Sequence, residues 1–256
     1  MGATSAATSC SIERTDVTPR LSVVIPFRHE AASLAELVGE LMPVLDALAF
    51  DSEVIFVDDE SRDEGRSILA ALAARDARIR LLSLSPHSGQ SAALAAGFDA
   101  ARGEIVATLD ADLQNSPHDL PRLIDGLAQA DCVCGVRVER RDVFSKRIAS
   151  RVANSIRRRV LGDGVSDIGC SLRVMRASDL ARIRLFRGGH RFLPSLLAMH
   201  GARVIEMPVT HRARRYGASK YGIGRRLGAV WLDLLGVYWM KRRIDRYEVK
   251  ELNRRA

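Results

Sequence analysis

Residues 88–117 read SGQSAALAAGFDAARGEIVATLDADLQNSP. Three patterns follow one another there. The alanine-rich segment over 89–101 has the composition of a helix. Glu104–Leu109 is a short apolar run with β-branched members and reads as a strand. That strand ends directly in Asp110-Ala111-Asp112-Leu113-Gln114. A helix feeding a strand is the repeating unit of an open α/β sheet, whose ligands bind beyond the carboxyl ends of the strands.

The alternation continues on both sides of this stretch. Leu21–Pro26, Glu53–Val57, Ile79–Leu84 and Asp131–Val136 read as strands, and residues 31–48, 64–75 and 117–130 as helices. The expected fold class is α/β, with a mostly parallel central sheet flanked by helices. Past residue 137 the pattern changes. A basic helix is expected over 143–161, short strands at 170–175 and 203–209, a helix at 192–199, a basic loop over 210–220 and a last helix over 219–241. No internal repeat and no Pro/Gly/Ser linker interrupts the chain. The expected organisation is a loose tail over 1–20, one domain over 21–221 and a basic C-terminal helical extension over 222–256.

The chain has 256 residues, 47% of them hydrophobic, which excludes a disordered or collagen-like protein. Aromatic residues make up 5%, too few for a binding surface of stacked rings. The net charge of +8 conceals a split. Residues 1–136 carry 10 basic and 21 acidic side chains, a balance of −11; residues 137–256 carry 29 and 10, a balance of +19. The four cysteines make neither a disulfide scaffold nor a zinc-type C-x-x-C pair, which fits a reducing cytosol. The first 20 residues lack the apolar core of a signal peptide. The longest apolar run, Leu227–Met240, is too short to cross a bilayer. It carries Trp231, Tyr238 and Trp239 and is followed by Lys241, Arg242 and Arg243. That combination suits either a membrane interface or a helix packed on its own domain.

Carboxylates collect at the predicted strand ends: Glu30 after the first, Asp58 and Asp59 after the second, Asp110 and Asp112 after the fourth. Asp58 and Asp59 suit either ribose and base contacts or the capping of a following helix. In Asp110-x-Asp112 the spacing lets both side chains point one way. Hard carboxylate oxygens at that spacing suit Mg²⁺ or Mn²⁺, and Gln114 repeats the interval. No Gly-x-Gly-x-x-Gly follows the first strand and no Walker-type Gly-Lys-Ser/Thr is present. Phosphate must therefore be met by a metal and by basic side chains.

Five segments together resemble the family 2, GT-A type glycosyltransferases, in particular the dolichyl-phosphate mannosyltransferase-like branch that glycosylates polyprenyl phosphates. They are VVIPFRHE (23–30), VDDESRD (57–63), the stretch 88–117, DIGCSLRVMR (167–176) and RRYGASKY (214–221). The resemblance implies a GT-A fold. It implies a nucleotide-sugar donor, either GDP-mannose or a UDP-sugar, bound by Pro26, Glu30, Asp58, Asp59, Gly89 and Asp110. It implies metal and diphosphate at Asp110, Asp112 and Gln114, and an acceptor polyprenyl phosphate met by Arg137, Lys146, Arg147, Ser150, Arg214 and Lys220. Asp110, Asp112, Arg137 and Arg214 would carry the catalysis. The chain departs from the family pattern in two segments assigned to the donor: Arg28-His29 replaces the usual Tyr-Asn, and His87-Ser88 the usual Arg-Asn.

The expected activity is inverting transfer of a hexose to a polyprenyl phosphate, by an enzyme peripheral on the cytoplasmic face of the membrane with no transmembrane helix. An alternative is transfer to a saccharide hydroxyl, which requires a base; Asp167 is the candidate, although it equally suits capping the turn before Gly169. Nucleic-acid binding by the basic half leaves the acidic strand ends without a role. Among the histidines, His190, after Gly188-Gly189, suits either a loop near the acceptor or, more simply, a plain surface position.

Overall fold

The computed structural model describes residues 18–137, 155, 157–213, 215–216 and 223–245. Its centre is a seven-stranded sheet in the order β3-β2-β1-β4-β6-β5-β7. The strands are β1 (Leu21–Phe27), β2 (Ser52–Asp58), β3 (Ile79–Ser83), β4 (Ile105–Thr108), β5 (Cys132–Arg137), β6 (Arg173–Arg176) and β7 (Val204–Val209). β1 pairs in parallel with β2 and β4, β2 with β3, and β5 with β7. β6 runs antiparallel to both β4 and β5. With this one reversed strand the sheet is mostly parallel, as expected.

Helices α1 (Ala31–Asp46), α2 (Gly65–Ala73), α3 (Gln90–Ala100) and α4 (Leu120–Asp125) follow β1 to β4 in turn. Alternation along β1 divides the interior into two layers. Leu21, Val23, Ile25 and Phe27 face a core shared with Leu34, Leu37, Leu41 and Leu45 of α1. The helical spacing of these α1 leucines puts them on one stripe, and burying each contributes roughly 1.5–3 kcal/mol. Val24 points the other way, into a second core with Ala93 and Leu94 of α3, Leu193 and Leu197, and Leu234 and Val237 of the C-terminal helix. α3 lies so close to β1 that a Cβ on Gly97 would stand 2.2 Å from Val24 Cγ1. The expected helix over 117–130 is broken instead: 3₁₀ turns at Pro117–Asp119 and Gly126–Ala128 flank α4, consistent with Pro117, Pro121 and Gly126 at the breaks.

The C-terminal helix, Ile223–Arg243, has two faces. Leu234 and Val237 are buried, while Leu232 and Leu235 are 71% and 60% exposed. The helix is thus packed on its own domain through one face and leaves the other exposed. The expected basic helix over 143–161 falls mostly outside the described residues; 157–161 is helical.

Candidate active site

A cavity of about 660 Å³ opens at the carboxyl ends of β1, β2, β4 and β5. Its floor is the turn after β4. Asp110, Ala111, Asp112 and Gln114 line the cavity, whereas Leu113 is buried away from it. Asp110, Asp112 and Gln114, spaced two residues apart, thus all reach the same cavity, as their spacing allows. Leu113 holds a left-handed φ of 61°, and the turn is tied down from three sides. Ser33 Oγ donates to Ala111 O at 2.6 Å, Asp112 Oδ1 accepts from Gln114 N at 3.2 Å, and Arg212 N donates to Gln114 O at 2.8 Å. Asp110 Oδ1 accepts from Gln90 Nε2, at the start of α3, at 3.0 Å.

The wall formed by β1 and β2 contains Pro26, Arg28, Glu30 and Asp59. Its two adjacent aspartates behave differently. Asp58 does not line the cavity. It is fully buried, accepts from Ser61 N at 2.9 Å and pairs with Arg66. Asp59 does line it, and its carboxylate also builds the next loop, accepting from Ser88 N at 2.8 Å and Gly89 N at 2.9 Å. Gly89 stands at φ 90°, a conformation costly to other residues, where the loop turns into α3. Gly89 is not among the residues lining the cavity; it shapes the wall through its bond to Asp59. The capping of α2 expected of Asp58 and Asp59 falls to Asp63, which accepts from Gly65 N at 3.2 Å and also from Ala31 N, at the start of α1, at 2.9 Å. Among the described residues, three non-glycine residues have positive φ, namely His29, Glu60 and Leu113, one after each of β1, β2 and β4. Such strained positions cluster at functional sites.

The opposite wall is basic. Arg137 closes β5 and forms a two-pronged ion pair with Asp167, Nε to Oδ2 and Nη2 to Oδ1, both at 2.7 Å. Asp167 also accepts from Gly169 N at 3.2 Å, as expected for the turn before that glycine. Arg173 on β6 donates to His190 O at 2.8 Å and Ile168 O at 2.9 Å. His190 and Arg191 complete the wall. Of the two readings of His190, the plain surface position is the one the structure does not bear out: the residue is half-buried in the cavity wall. Its Nδ1 lies 2.8 Å from Ser91 Oγ on α3, which also accepts from Gly188 N and His190 N. Cys170 also lines the cavity but is almost fully buried; burial pushes its thiol up to about 11, which disfavours the thiolate at neutral pH.

Seven sequence-derived positions therefore meet in one cavity: Pro26, Glu30, Asp59, Asp110, Asp112, Gln114 and Arg137. Lys146, Arg147, Ser150, Arg214 and Lys220 lie outside the described residues. Arg28, His87, Gln90, Arg173 and Arg191 line the cavity without having been singled out as ligands by the sequence. Of these, only Arg28 and His87 had a visible signal, as departures from the family pattern.

The family model described as glycosyl transferase family 2 matches residues 22–184. The chain belongs to this family. It is 38% identical over 228 residues to dodecaprenyl-phosphate galacturonate synthase of Rhizobium johnstonii, covering 87% of this chain and 67% of that protein. It is 38% identical over 205 residues to undecaprenyl-phosphate 4-deoxy-4-formamido-L-arabinose transferase of Edwardsiella ictaluri, covering 79% and 63%. The chain thus spans about two thirds of the length of these relatives. Among solved structures, glucosyl-3-phosphoglycerate synthase of Mycobacterium tuberculosis with Mn²⁺ and UDP superposes with a TM-score of 0.65 at 18% identity, covering 89% of this chain and 81% of that one. A mannosyltransferase of Pyrobaculum calidifontis with GDP-mannose and Mn²⁺ gives 0.62 at 23% identity, covering 91% and 66%. These likenesses establish the GT-A fold expected from the sequence. The two relatives named here support the polyprenyl-phosphate branch and carry sugars other than mannose in their names.

Proposed function

We propose that this family 2 glycosyltransferase moves a sugar from a nucleotide-diphosphate sugar to a polyprenyl phosphate, with inversion and with a divalent metal. The observation that carries the reading is the two-sided cavity: Asp110 and Asp112 on the floor face a wall formed by Arg137, Arg173 and Arg191.

The floor suits Mg²⁺ or Mn²⁺. No group of three or more His, Cys, Asp or Glu side chains that could enclose a metal exists among the described residues. Two carboxylates and an amide on an open turn instead provide hard oxygen donors and leave coordination positions for phosphate and water. Asp110, Asp112 and Gln114 would hold the ion, which would neutralise the departing diphosphate. Pro26, Glu30 and Asp59 would border the nucleoside, with Asp58 and Gly89 supporting the loops around it.

An acceptor phosphate oxygen would attack the anomeric carbon while the bond from that carbon to the diphosphate breaks. A phosphate monoester is already anionic at neutral pH, so no base is needed. The protein's tasks are positioning and charge stabilisation. Arg137 would meet the acceptor phosphate, joined by Lys146, Arg147, Ser150, Arg214 and Lys220 on the strength of the resemblance. Transfer to a saccharide hydroxyl is less well supported, because both oxygens of Asp167, its candidate base, already accept from Arg137.

The exposed face of the C-terminal helix fits a peripheral place on the cytoplasmic side of a membrane. Leu232, Leu235 and Trp239 project beside Arg242 and Arg243, and the Arg243 guanidinium lies 5.7 Å from the Trp239 ring centre. No helix among the described residues is long and apolar enough to cross a bilayer. Replacing Leu232, Leu235 and Trp239 by Ser should release the protein from anionic vesicles in a sedimentation assay; undiminished binding would refute the placement.

The function is tested by incubating the protein with GDP-mannose and a set of UDP-sugars, including UDP-galacturonate, a short polyprenyl phosphate, and Mg²⁺ or Mn²⁺. Mass detection of a glycosylated lipid phosphate is the expected result. Product formed only on a saccharide acceptor would overturn it.

A further inference from the structure

The two departures from the family pattern meet in space. Arg28 follows β1 and His87 follows β3, 59 residues apart, yet Arg28 Nη1 lies 3.2 Å from His87 Nε2. On the other side of the ring, His87 Nδ1 is 2.7 Å from Asp59 Oδ2, at the end of β2. These partners assign the tautomer. A guanidinium offers only donors, so Nε2 must be the acceptor, and Nδ1, facing a carboxylate, carries the hydrogen. A neutral imidazole thus links an anion to a cation across the ends of three neighbouring strands. The His87 loop is itself held by Glu60, whose Oε2 accepts from His87 N at 3.0 Å.

All three side chains line the cavity. The strand order β3-β2-β1-β4 places them one to three strands away from the Asp110–Asp112 turn. At about 4.8 Å per strand this is roughly 5–15 Å, in the direction opposite to Arg137 and Arg173. A diphosphate held at Asp110 and Asp112, with its sugar toward the basic wall, would extend its nucleoside toward this trio.

We propose that Arg28 and His87 work as one unit that sets the affinity for the nucleoside end of the donor. Asp59 fixes the ring, and the ring fixes the Arg28 guanidinium at the cavity wall, where it can donate to an acceptor on the base or ribose. The proposal rests on the nucleotide-sugar reading above. It adds that donor affinity depends on the contact between the two side chains and not only on each alone. It also requires a neutral partner at position 87, since a second cation there would face Arg28.

The test is calorimetric titration of the full chain with UDP and with GDP in the presence of Mn²⁺, following whichever binds the unaltered protein more tightly. Arg28→Ala and His87→Ala should each weaken that nucleotide about tenfold, the size of one lost charge-assisted bond. The double variant should be no more than about twofold worse than the weaker single, as for residues acting together. His87→Arg should lose at least as much as His87→Ala, and Arg28→Ala combined with His87→Arg should regain most of the loss by restoring a single cation. Thermal unfolding of each variant serves as the control for folding. Losses that multiply in the double variant, or well-folded variants with unchanged affinity, would overturn the proposal. Failure of the unaltered protein to bind either nucleotide would instead overturn the nucleotide-sugar reading on which it stands.

Discussion

Two pairs of aspartates occupy equivalent places in the sheet, and the fold uses them in opposite ways. Asp58 and Asp59 end β2; Asp110 and Asp112 follow β4. Asp58 is sealed from solvent against Ser61 N and Arg66, and Asp59 fastens the loop that starts α3. The β4 pair stands on a turn that Ser33 and Arg212 help to secure; Asp112 accepts from Gln114 N as well, yet both carboxylates line the cavity. A carboxylate beside unmet backbone N–H groups becomes scaffold, because leaving either partner buried and unpaired is costly. Where other groups share the work of securing the turn, the carboxylates still border the cavity. Position at a strand end does not separate these cases; the supply of competing donors does.

The largest effect expected from this contrast is at Asp112. Asp112→Ala should reduce sugar transfer at least about 1000-fold, near 4 kcal/mol of transition-state stabilisation. Its unfolding temperature should stay within about 2 °C of the parent. Turnover close to the parent's, with Mg²⁺ or Mn²⁺ supplied, would remove Asp112 from the metal site and erase the contrast from one side.

Asp58→Ala should behave in the reverse sense. Asp58 is buried but its partner Arg66 is half exposed, so removing the carboxylate loses that pair and the bond from Ser61 N without stranding a buried charge, at a cost of about 1–2 kcal/mol, and the denaturation midpoint should fall. The fraction that remains folded should still bind nucleotide. A variant of normal stability that binds none would make Asp58 a ligand, and the two strand ends would then be alike.

A smaller effect distinguishes the basic wall from the acidic floor. Arg137→Lys keeps the charge but loses the two-pronged fork now matched to Asp167. The KM for polyprenyl phosphate should rise about tenfold while the donor KM moves less than twofold. Equal changes in both would place Arg137 at the diphosphate rather than at the acceptor.

Much of this arrangement was legible in the sequence wherever the signal was local. β1 to β5 lie within about two residues of their expected bounds, because short apolar runs between acidic or glycine-bearing turns have few other ways to fold. The Asp110–Gln114 floor was legible because its polar members recur at every second residue directly after a strand, and all three line the cavity. What escaped was every feature made by distant pairing. β6 reverses direction because its partners, β4 and β5, precede a long excursion of the chain, and no local pattern states which way it returns. His190 looked like an unattached surface residue because its partner, Ser91, lies 99 positions earlier. The division of labour between Asp58 and Asp59 depends on Arg66 and on the loop at 87–89, and neither pairing has a spacing rule.

The contrast sharpens once a third carboxylate is added, one with no access to the cavity. Glu53 lies near the amino end of β2, at the far edge of the sheet, almost fully buried. Burial by itself would raise its carboxyl, but hydrogen bonds from Ser22, Arg80 and Arg102 outweigh that and hold it below the ordinary glutamate value. A carboxyl depressed on folding stabilises the protein above its unfolded pKa, and that contribution is lost as the pH falls through the folded pKa. Glu53→Gln should therefore cost about 1 kcal/mol near pH 7. The gap between variant and parent should close in acid, below the usual glutamate range, where the parent's carboxyl is protonated too. Nucleotide affinity and turnover should be unchanged, because no bond of Glu53 leads to the cavity wall. Chemical denaturation at pH 7 and again in acid measures the gap. A gap that stays constant across that range would mean that shape and packing at Glu53, rather than its charge, hold β2 to its neighbours. The scaffold role of buried carboxylates argued for Asp58 would then lose its electrostatic basis.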